Sequence, residues 1–437
     1  MIVARIRLAS ILVLLSILVL AACGDSDHTT NTPPELRWLA GDFHVHSSVG
    51  SNDTRYPDGS ALSSPETIRA VARERGLAFL VVTDHSNSAG SIVDTTVEDF
   101  HLWNMGPEFP LWDAAPDLSS DDFLFINGSE FSPVSILEPH TCPDCPTLGT
   151  ERPEPVGHIG CIPEARETFV TEGPIIDRPP GAVDGATTVQ QCRDRNGFVI
   201  INHPFPRPTP WMVYDWTSYD YDAIEVYNGT IGWDIFDRSA YDAYLCDRLL
   251  GRDVVAVGGS DNHRAPLRYE DELSLELGSP LALPATSVLA ESVEWGAIMR
   301  AVRAGRIVVH ELGTFIEVDV QGPDGSHLGG IGDTVAEGPA TLVVSGRSPR
   351  AQSARVFHVA PDACNDRRTA GRDVPPTVTV TPVDTTAICA GGECEFAYER
   401  AVTLEPGLYF ATVGEFDTRT LLVRDVALTN VVTVEAH

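Results

Sequence analysis

Lysine is absent from this chain. All 30 of its basic residues are arginine, they face 62 acids, and the formal net charge is −32 over 437 residues. The missing lysine fits a GC-rich coding sequence and carries no functional meaning. The shortage of positive charge does exclude something. A polyanion-binding surface needs clustered cations, so neither a nucleic-acid partner nor a basic membrane-surface patch is expected. No Gly-x-Ser-x-Gly turn occurs, and no phosphate-cradling P-loop, so the chain offers neither a serine-hydrolase elbow nor a nucleotide cradle. No internal repeat is evident. Hydrophobic residues make up 43%, ample for a packed core, and the length suits about three domains at roughly 150 residues each.

The N-terminus reads as a targeting segment. Arg5 and Arg7 precede an apolar run from Leu8 to Ala22 that only Ser10 and Ser16 interrupt. Such a run is short for a membrane span and right for a signal peptide. It ends Leu20-Ala21-Ala22-Cys23-Gly24, which resembles a bacterial lipoprotein cleavage box. The box implies a signal peptide over residues 1–22, lipid on Cys23, and a flexible tether over 23–36. The protein is then expected outside the cytoplasm, anchored to a bacterial membrane in the periplasm or at the cell surface. Eight cysteines remain, and an even number in an oxidising compartment favours disulfides. Cys142 and Cys145 with Cys161 and Cys192 could instead hold a structural zinc.

Seven strand-like runs lie between Trp38 and Asp261, at 38–46, 78–83, 123–130, 155–162, 197–202, 222–227 and 253–260. A helix is predicted after Ser64, with Ser64 as N-cap, Pro65 at the first helical position and Gly76 as its stop. A second is expected over Asp237–Leu250 and a third near Ser292–Ala304. Alternating strands and helices imply an α/β fold with a parallel sheet or barrel. Residues 90–120, 132–155 and 163–196 read as long loops. From residue 311 the pattern turns to alternating or β-branched runs, at 315–320, 340–344, 355–359, 377–381 and 408–412, so 311–437 reads as an all-β sandwich.

Five short segments end in metal-ligand residues, mostly at the close of apolar strand-like runs. They contain His44 and His46, then Asp84 and His85, Glu130, His203, and finally Asp261 and His263. Residues i and i+2 of a strand share a face, so His44 with His46 and Asp261 with His263 can each aim two ligands at one point. Ligands at the C-terminal ends of successive parallel strands converge at the mouth of a β/α barrel. A lone histidine is more often structural, but this combination is hard to explain as core packing. Neutral imidazoles with carboxylates suit zinc, manganese or iron.

With these motifs the chain resembles the PHP (polymerase and histidinol phosphatase) superfamily, nearest its CehA/McbA-like metallohydrolase branch, from about Asp42 to His263. The resemblance implies a distorted (β/α)7 barrel over residues 37–310. It also implies a ligand set. His44, His46, Glu130 and Asp261 would hold one metal. Glu130 would bridge to a second, completed by His158 and His203. His85 and His263 would hold a third, with Asp53, or Asp58 in reserve, from the segment after the H-x-H. His140 competes with His158. Asp42 and Asp84 adjoin ligands and are expected to orient imidazoles as catalytic supports. Glu225 ends another strand at the same rim, with either a structural or a substrate-contacting role, and Arg264 is a candidate anion clamp.

Two or three divalent ions would lower the pKa of a bridging water and stabilise the charge that builds on the attacked group. The expected function is a hydrolase acting on a small-molecule phosphate ester. A carbamate, ester or amide hydrolase on the same core, or a non-catalytic lipid-anchored binding protein, are the alternatives.

Overall fold

A computed structural model describes residues 35–51, 54–55, 59–86, 108–131, 157–173, 175, 185–205, 220–229, 233–267, 279–311, 313–350, 353–367, 375–389, 392–417 and 422–436. The signal peptide, Cys23, Asp53, Asp58, His140, Cys142 and Cys145 lie outside them. Leu36–His437 packs as one compact unit.

The N-terminal part contains strands β1 (Arg37–Val45), β2 (Phe79–Val82), β3 (Leu124–Asn127), β4 (Ser129–Phe131), β5 (His158–Pro163), β6 (Gly197–Asn202), β7 (Ala223–Asn228), β8 (Val255–Gly259), β9 (Ala285–Ala290) and β10 (Ile307–His310). Helices α1 (Pro65–Glu74), α2 (Ala115–Leu118), α3 (Gly185–Arg193), α4 (Ile235–Leu249) and α5 (Trp295–Arg303) are interspersed. The seven expected strand positions are all occupied. The distorted (β/α)7 barrel that the resemblance implies is not shown by the described residues. β1, β2 and β3 pair in parallel in one sheet, and β6, β7 and β8 pair in parallel in another. Between them β5 runs antiparallel to both β4 and β6. Two isolated parallel bridges, Val45 with Asn262 and His85 with Glu130, join the ends of the two sheets.

The expected strand over 123–130 is two strands, split at Gly128. A Cβ on Gly128 would lie 2.7 Å from the Cys161 carbonyl oxygen and 2.9 Å from the Ile162 side chain. Only glycine lets the chain pass β5 this closely as it leaves the β2 sheet, and the passage delivers Glu130 to the centre of the molecule.

Helix α1 is capped as its sequence requires. Ser64 Oγ accepts the Thr67 N–H at 3.2 Å, and Ile68 and Ala72 bury the inner face. Helix α4 begins two residues earlier than the sequence suggests, because Asp234 and Asp237 form a reciprocal capping box, worth about 1 kcal/mol. Helix α3 falls inside a stretch that reads as loop. Cys192 on α3 is disulfide-bonded to Cys161 on β5, and that bond replaces the alternative of a zinc held by these two thiolates.

The C-terminal strands are β11 (Phe315–Gln321), β12 (His327–Gly330), β13 (Thr334–Ala336), β14 (Gly338–Ser348), β15 (Ser353–Val359), β16 (Cys364–Asn365), β17 (Thr377–Val378), β18 (Thr381–Ala387), β19 (Cys394–Leu404), β20 (Gly407–Asp417), β21 (Leu422–Thr429) and β22 (Val432–Glu435). A four-stranded sheet runs β12-β11-β14-β19. One hydrophobic core joins its inner residues Ile316, Val318, Leu342 and Val344 to Val356, Ala411, Val413 and Val426 from a second sheet. That is sandwich packing, sheet on sheet. The second sheet is shared with the N-terminal part: its order is β13-β22-β20-β21-β10-β9-β1-β2-β3, with β15 and β18 branching from β20. Disulfides join Cys246 on α4 to Cys364 and Cys389 to Cys394.

Candidate metal centre

Each ligand candidate sits where a strand ends. His44 is on β1, and His46 follows it. His85 follows β2, Glu130 lies on β4, His158 opens β5, His203 follows β6, and Asp261 and His263 follow β8. His203 and Asp261 adopt positive φ values of 24° and 49°. The chain turns sharply there to swing each ligand inward, a conformation that costs a non-glycine residue on the order of 1–3 kcal/mol.

Glu130 is the hub. Its Oε1 lies 2.9 Å from His158 Nδ1, 3.1 Å from His44 Nε2 and 3.3 Å from His203 Nε2. Its Oε2 lies 3.0 Å from His85 Nδ1 and 3.7 Å from His46 Nε2. Asp261 Oδ1 lies 3.2 Å from His46 Nε2 and 3.4 Å from His44 Nε2. The nitrogens of His44 and His46 approach to 3.1 Å, and those of His158 and His203 to 3.2 Å. His263 stacks on His46 with ring centroids 4.1 Å apart, and it groups with His46 and His85. Eight of the nine residues expected to bind metal therefore converge, and Asp53 lies outside the described residues.

The donor set fits divalent ions. Ligands at 2.0–2.2 Å from a tetrahedral ion stand about 3.4 Å apart, and the spacings here match. His158 turns its Nδ1 to both Glu130 Oε1 at 2.9 Å and His203 Nε2 at 3.2 Å, so a single ion among the three would meet that nitrogen. Among the described residues no arginine pairs with Glu130 or Asp261. Most of the set is buried, whereas Asp261 and His263 side chains keep 26% and 27% of their exposure and form the mouth.

The protein's own groups polarise the site. Burial alone would raise the Glu130 carboxyl, but His158 and His44 outweigh it and hold it well below the usual range. Asp261 is lowered likewise, with burial overcome chiefly by His44. Burial, reinforced by His263 and His85, pushes His46 down to about 3, and burial takes His158 down to about 4. Burial also opposes protonation of His44, but Asp261, Glu225 and Glu130 together raise it well above its ordinary value. The ionised carboxylates and the His46 and His158 rings, which resist protonation, are in the states a metal ion selects, whereas His44 and His203 are raised by the carboxylates beside them.

Asp42 and Asp84 do not orient imidazoles directly. Asp42 accepts the backbone N–H groups of His44 at 3.1 Å, Ser260 at 3.0 Å and Ala282 at 2.8 Å. It fixes the backbone between β1 and β8. Asp84 accepts from Ser47 N and Ser47 Oγ, both at 2.6 Å, and from Ser51 Oγ at 3.0 Å. Ser51 Oγ in turn lies 3.1 Å from His46 Nδ1, so Asp84 acts on His46 through a serine that sequence reasoning left without a role. Its neighbourhood, a serine-rich turn after the H-x-H, is a signal in hindsight. Burial pushes both Asp42 and Asp84 up to about 6. Asn202, also unassigned from the sequence, donates to Glu130 Oε1 at 3.0 Å. Arg264 is half-buried beside His263, and no hydrogen bond or ion pair joins its guanidinium to a described residue. A separate cavity of about 920 Å³, lined by Trp38, Arg75, His310 and Phe315 among others, includes none of the metal-ligand set.

No protein-family model and no curated protein matches the sequence. Among solved structures, the chain is similar to a two-domain protein from Bacteroides vulgatus containing a predicted PHP-like metal-dependent phosphoesterase. The identity is 16%, the match covers 91% of this chain and 96% of that one, and the TM-score is 0.41. An engineered protein (15% identity, 57% of this chain and 44% of that one, TM-score 0.15) and a modular endo-β-1,4-mannanase from Cellulomonas fimi (12% identity, 85% and 69%, TM-score 0.16) match with much lower TM-scores. These overlaps are too loose to carry a functional argument, which rests on the site's own residues.

Proposed function

We propose that this chain is a multinuclear metal-dependent hydrolase of the PHP type, nearest the CehA/McbA-like branch, and that it cleaves phosphate esters outside the cytoplasm from a lipid anchor on Cys23. One observation carries the reading: both oxygens of a single buried carboxylate, Glu130, stand within 3.7 Å of ring nitrogens from five histidines. Zinc, manganese or iron ions bound there would supply Lewis acidity and an activated water.

The protein residues divide the remaining work. His44, His46 and Asp261 hold one position, His158 and His203 a second, and His85 with His263 a third, with Glu130 shared. Asp42 and the Asp84–Ser51 pair fix the backbone and the His46 ring, which keeps the ligands from reorganising as charge develops. Asp261 and His263 are the members of the set open to solvent, so the scissile group approaches from their side. Arg264, next in sequence, is assigned to the substrate's anionic oxygens.

The test uses purified protein loaded with zinc or manganese and assayed on an aryl phosphate and an aryl ester. More than one ion per chain and turnover of the phosphate are expected, with Glu130→Ala losing more than one ion. Turnover of the ester alone would move the protein to the carbamate, ester or amide class. A parent protein that binds no metal ends the proposal.

A further inference from the structure

Glu225 lies on β7, between the strands that carry His203 and Asp261, and only 2% of its surface is exposed. Its Oε1 is 3.0 Å from His44 Nδ1. Its Oε2 accepts the His203 backbone N–H at 2.7 Å and an Asn228 amide N–H at 3.0 Å. The same Asn228 nitrogen stands 3.4 Å from Asp261 Oδ2. One carboxylate thus touches a ligand from β1, the backbone of a ligand after β6 and, through Asn228, a ligand after β8.

We propose that Glu225 is the positioning residue of the metal centre: it fixes the His44 tautomer and clamps the His203 backbone. The inference rests on the metal-centre reading above. A neutral imidazole carries one N–H. With an ion among Glu130, His46 and Asp261 the Nε2 lone pair would be taken, so the single His44 proton sits on Nδ1 and donates to Glu225 Oε1. Nε2 then presents its lone pair toward Glu130, His46 and Asp261, which lie 3.1, 3.1 and 3.4 Å away. The left-handed backbone of His203, at φ 24°, needs an outside hold to persist, and Glu225 Oε2 supplies it.

The fold is cleared for this contact. A Cβ on Gly259 would fall 2.7 Å from Glu225 Oε1 and 2.4 Å from His44 Cβ, so no larger residue fits between β8 and this pair.

The rival role is direct ligation, since donor atoms of His44, His203 and Glu225 lie within 4.8 Å of one another. Two facts weigh against it. Both Glu225 oxygens already accept N–H groups. The His44 nitrogen that faces Glu225 is also the one turned away from Glu130 and Asp261.

The experiment compares full-length parent, Glu225→Gln and Glu225→Ala. Zinc affinity is measured by competition with a chromophoric chelator, stoichiometry at saturating zinc, and melting in chelator as a fold control. In Glu225→Gln, zinc affinity falls about 10- to 100-fold, the saturated stoichiometry equals the parent's, and Glu225→Ala falls further. In the zinc-loaded parent itself, ¹⁵N-histidine NMR shows His44 protonated at Nδ1 and metal-bound at Nε2. Loss of a whole ion at saturating zinc makes Glu225 a ligand and overturns the proposal. Unchanged affinity, or a His44 bound through Nδ1, overturns it as well. A parent that binds no zinc instead refutes the metal reading, so the two failures are told apart.

Discussion

Cys246 and Cys364 are joined across 118 positions of sequence, tying helix α4, which packs against strand β7 and so behind Glu225, to the short strand β16. Asp242 on the same helix accepts the Val378 N–H of the adjoining β17 at 3.4 Å. A cross-link closing so long a loop removes much freedom from the unfolded chain. Cys246→Ala with Cys364→Ala is expected to destabilise the fold by about 2–5 kcal/mol. Urea unfolding with and without reductant measures it. An unchanged midpoint in the double variant, with the parent insensitive to reductant, would show the bond does not form.

Gly259→Ala places a methyl group against His44 and Glu225. His44 Cβ at 2.4 Å and the His44 backbone nitrogen at 3.0 Å cannot swing aside, so backbone must shift. The expected cost is about 1–3 kcal/mol of overpacking, accompanied by weaker metal binding because His44 is displaced. Thermal melting and metal content per chain report the two effects separately. A variant matching the parent in both contradicts the close approach.

Asp42 holds three backbone N–H groups in a fully buried setting. Asp42→Ala leaves all three without an acceptor, each costing about 1–3 kcal/mol, so a loss of at least about 3 kcal/mol is predicted. Asp42→Asn keeps one acceptor oxygen and should lie between. Equal stability of Asp42→Ala and the parent in chemical denaturation would sink this role.

Burial, only partly offset by a hydrogen bond to the Glu311 carbonyl, pushes His310 from 6.5 down to about 4. Its Nε2 lies 2.8 Å from Ser287 Oγ. The folded state therefore binds fewer protons than the unfolded chain between those two pH values. His310 contributes stability that is fully present above pH 6.5 and is lost as pH falls toward about 4, by up to about 3 kcal/mol. Unfolding midpoints of parent and His310→Gln across pH 7.5 to 4.5 test it, at roughly half-unit steps. The parent should lose stability more steeply on acidification, and parallel curves would refute the assignment.

Much of the centre is legible in the sequence because its ligands are local. His44 and His46 on one strand face, and the apolar runs before His85, Glu130, His203 and Asp261, place the donors at strand ends before any coordinate is known. What the sequence hides is tertiary. The direction of β5 cannot be read from His158–Pro163, whose residues are all buried and show no alternation to tell one sheet from another. Gly128 looks like any glycine until β5 packs against it. Glu225 meets a partner 181 residues away, and Ser51 acts between Asp84 and two ligand segments, so neither role has a local signature. Helix α3 hides in a stretch whose prolines and glycines signal loop.

The antiparallel pairing of β10 with β21, Val308 opposite Thr429 through His310 opposite Ala427, has a consequence for how this protein can be cut or recombined. Ending the chain at residue 310 would strip β10 of its neighbour and leave a bare, apolar sheet margin two strands from β1, which carries His44. Such margins recruit other chains. The half that holds the histidine cluster is therefore not a detachable module: its solubility is borrowed from the half that holds no metal ligand of the set.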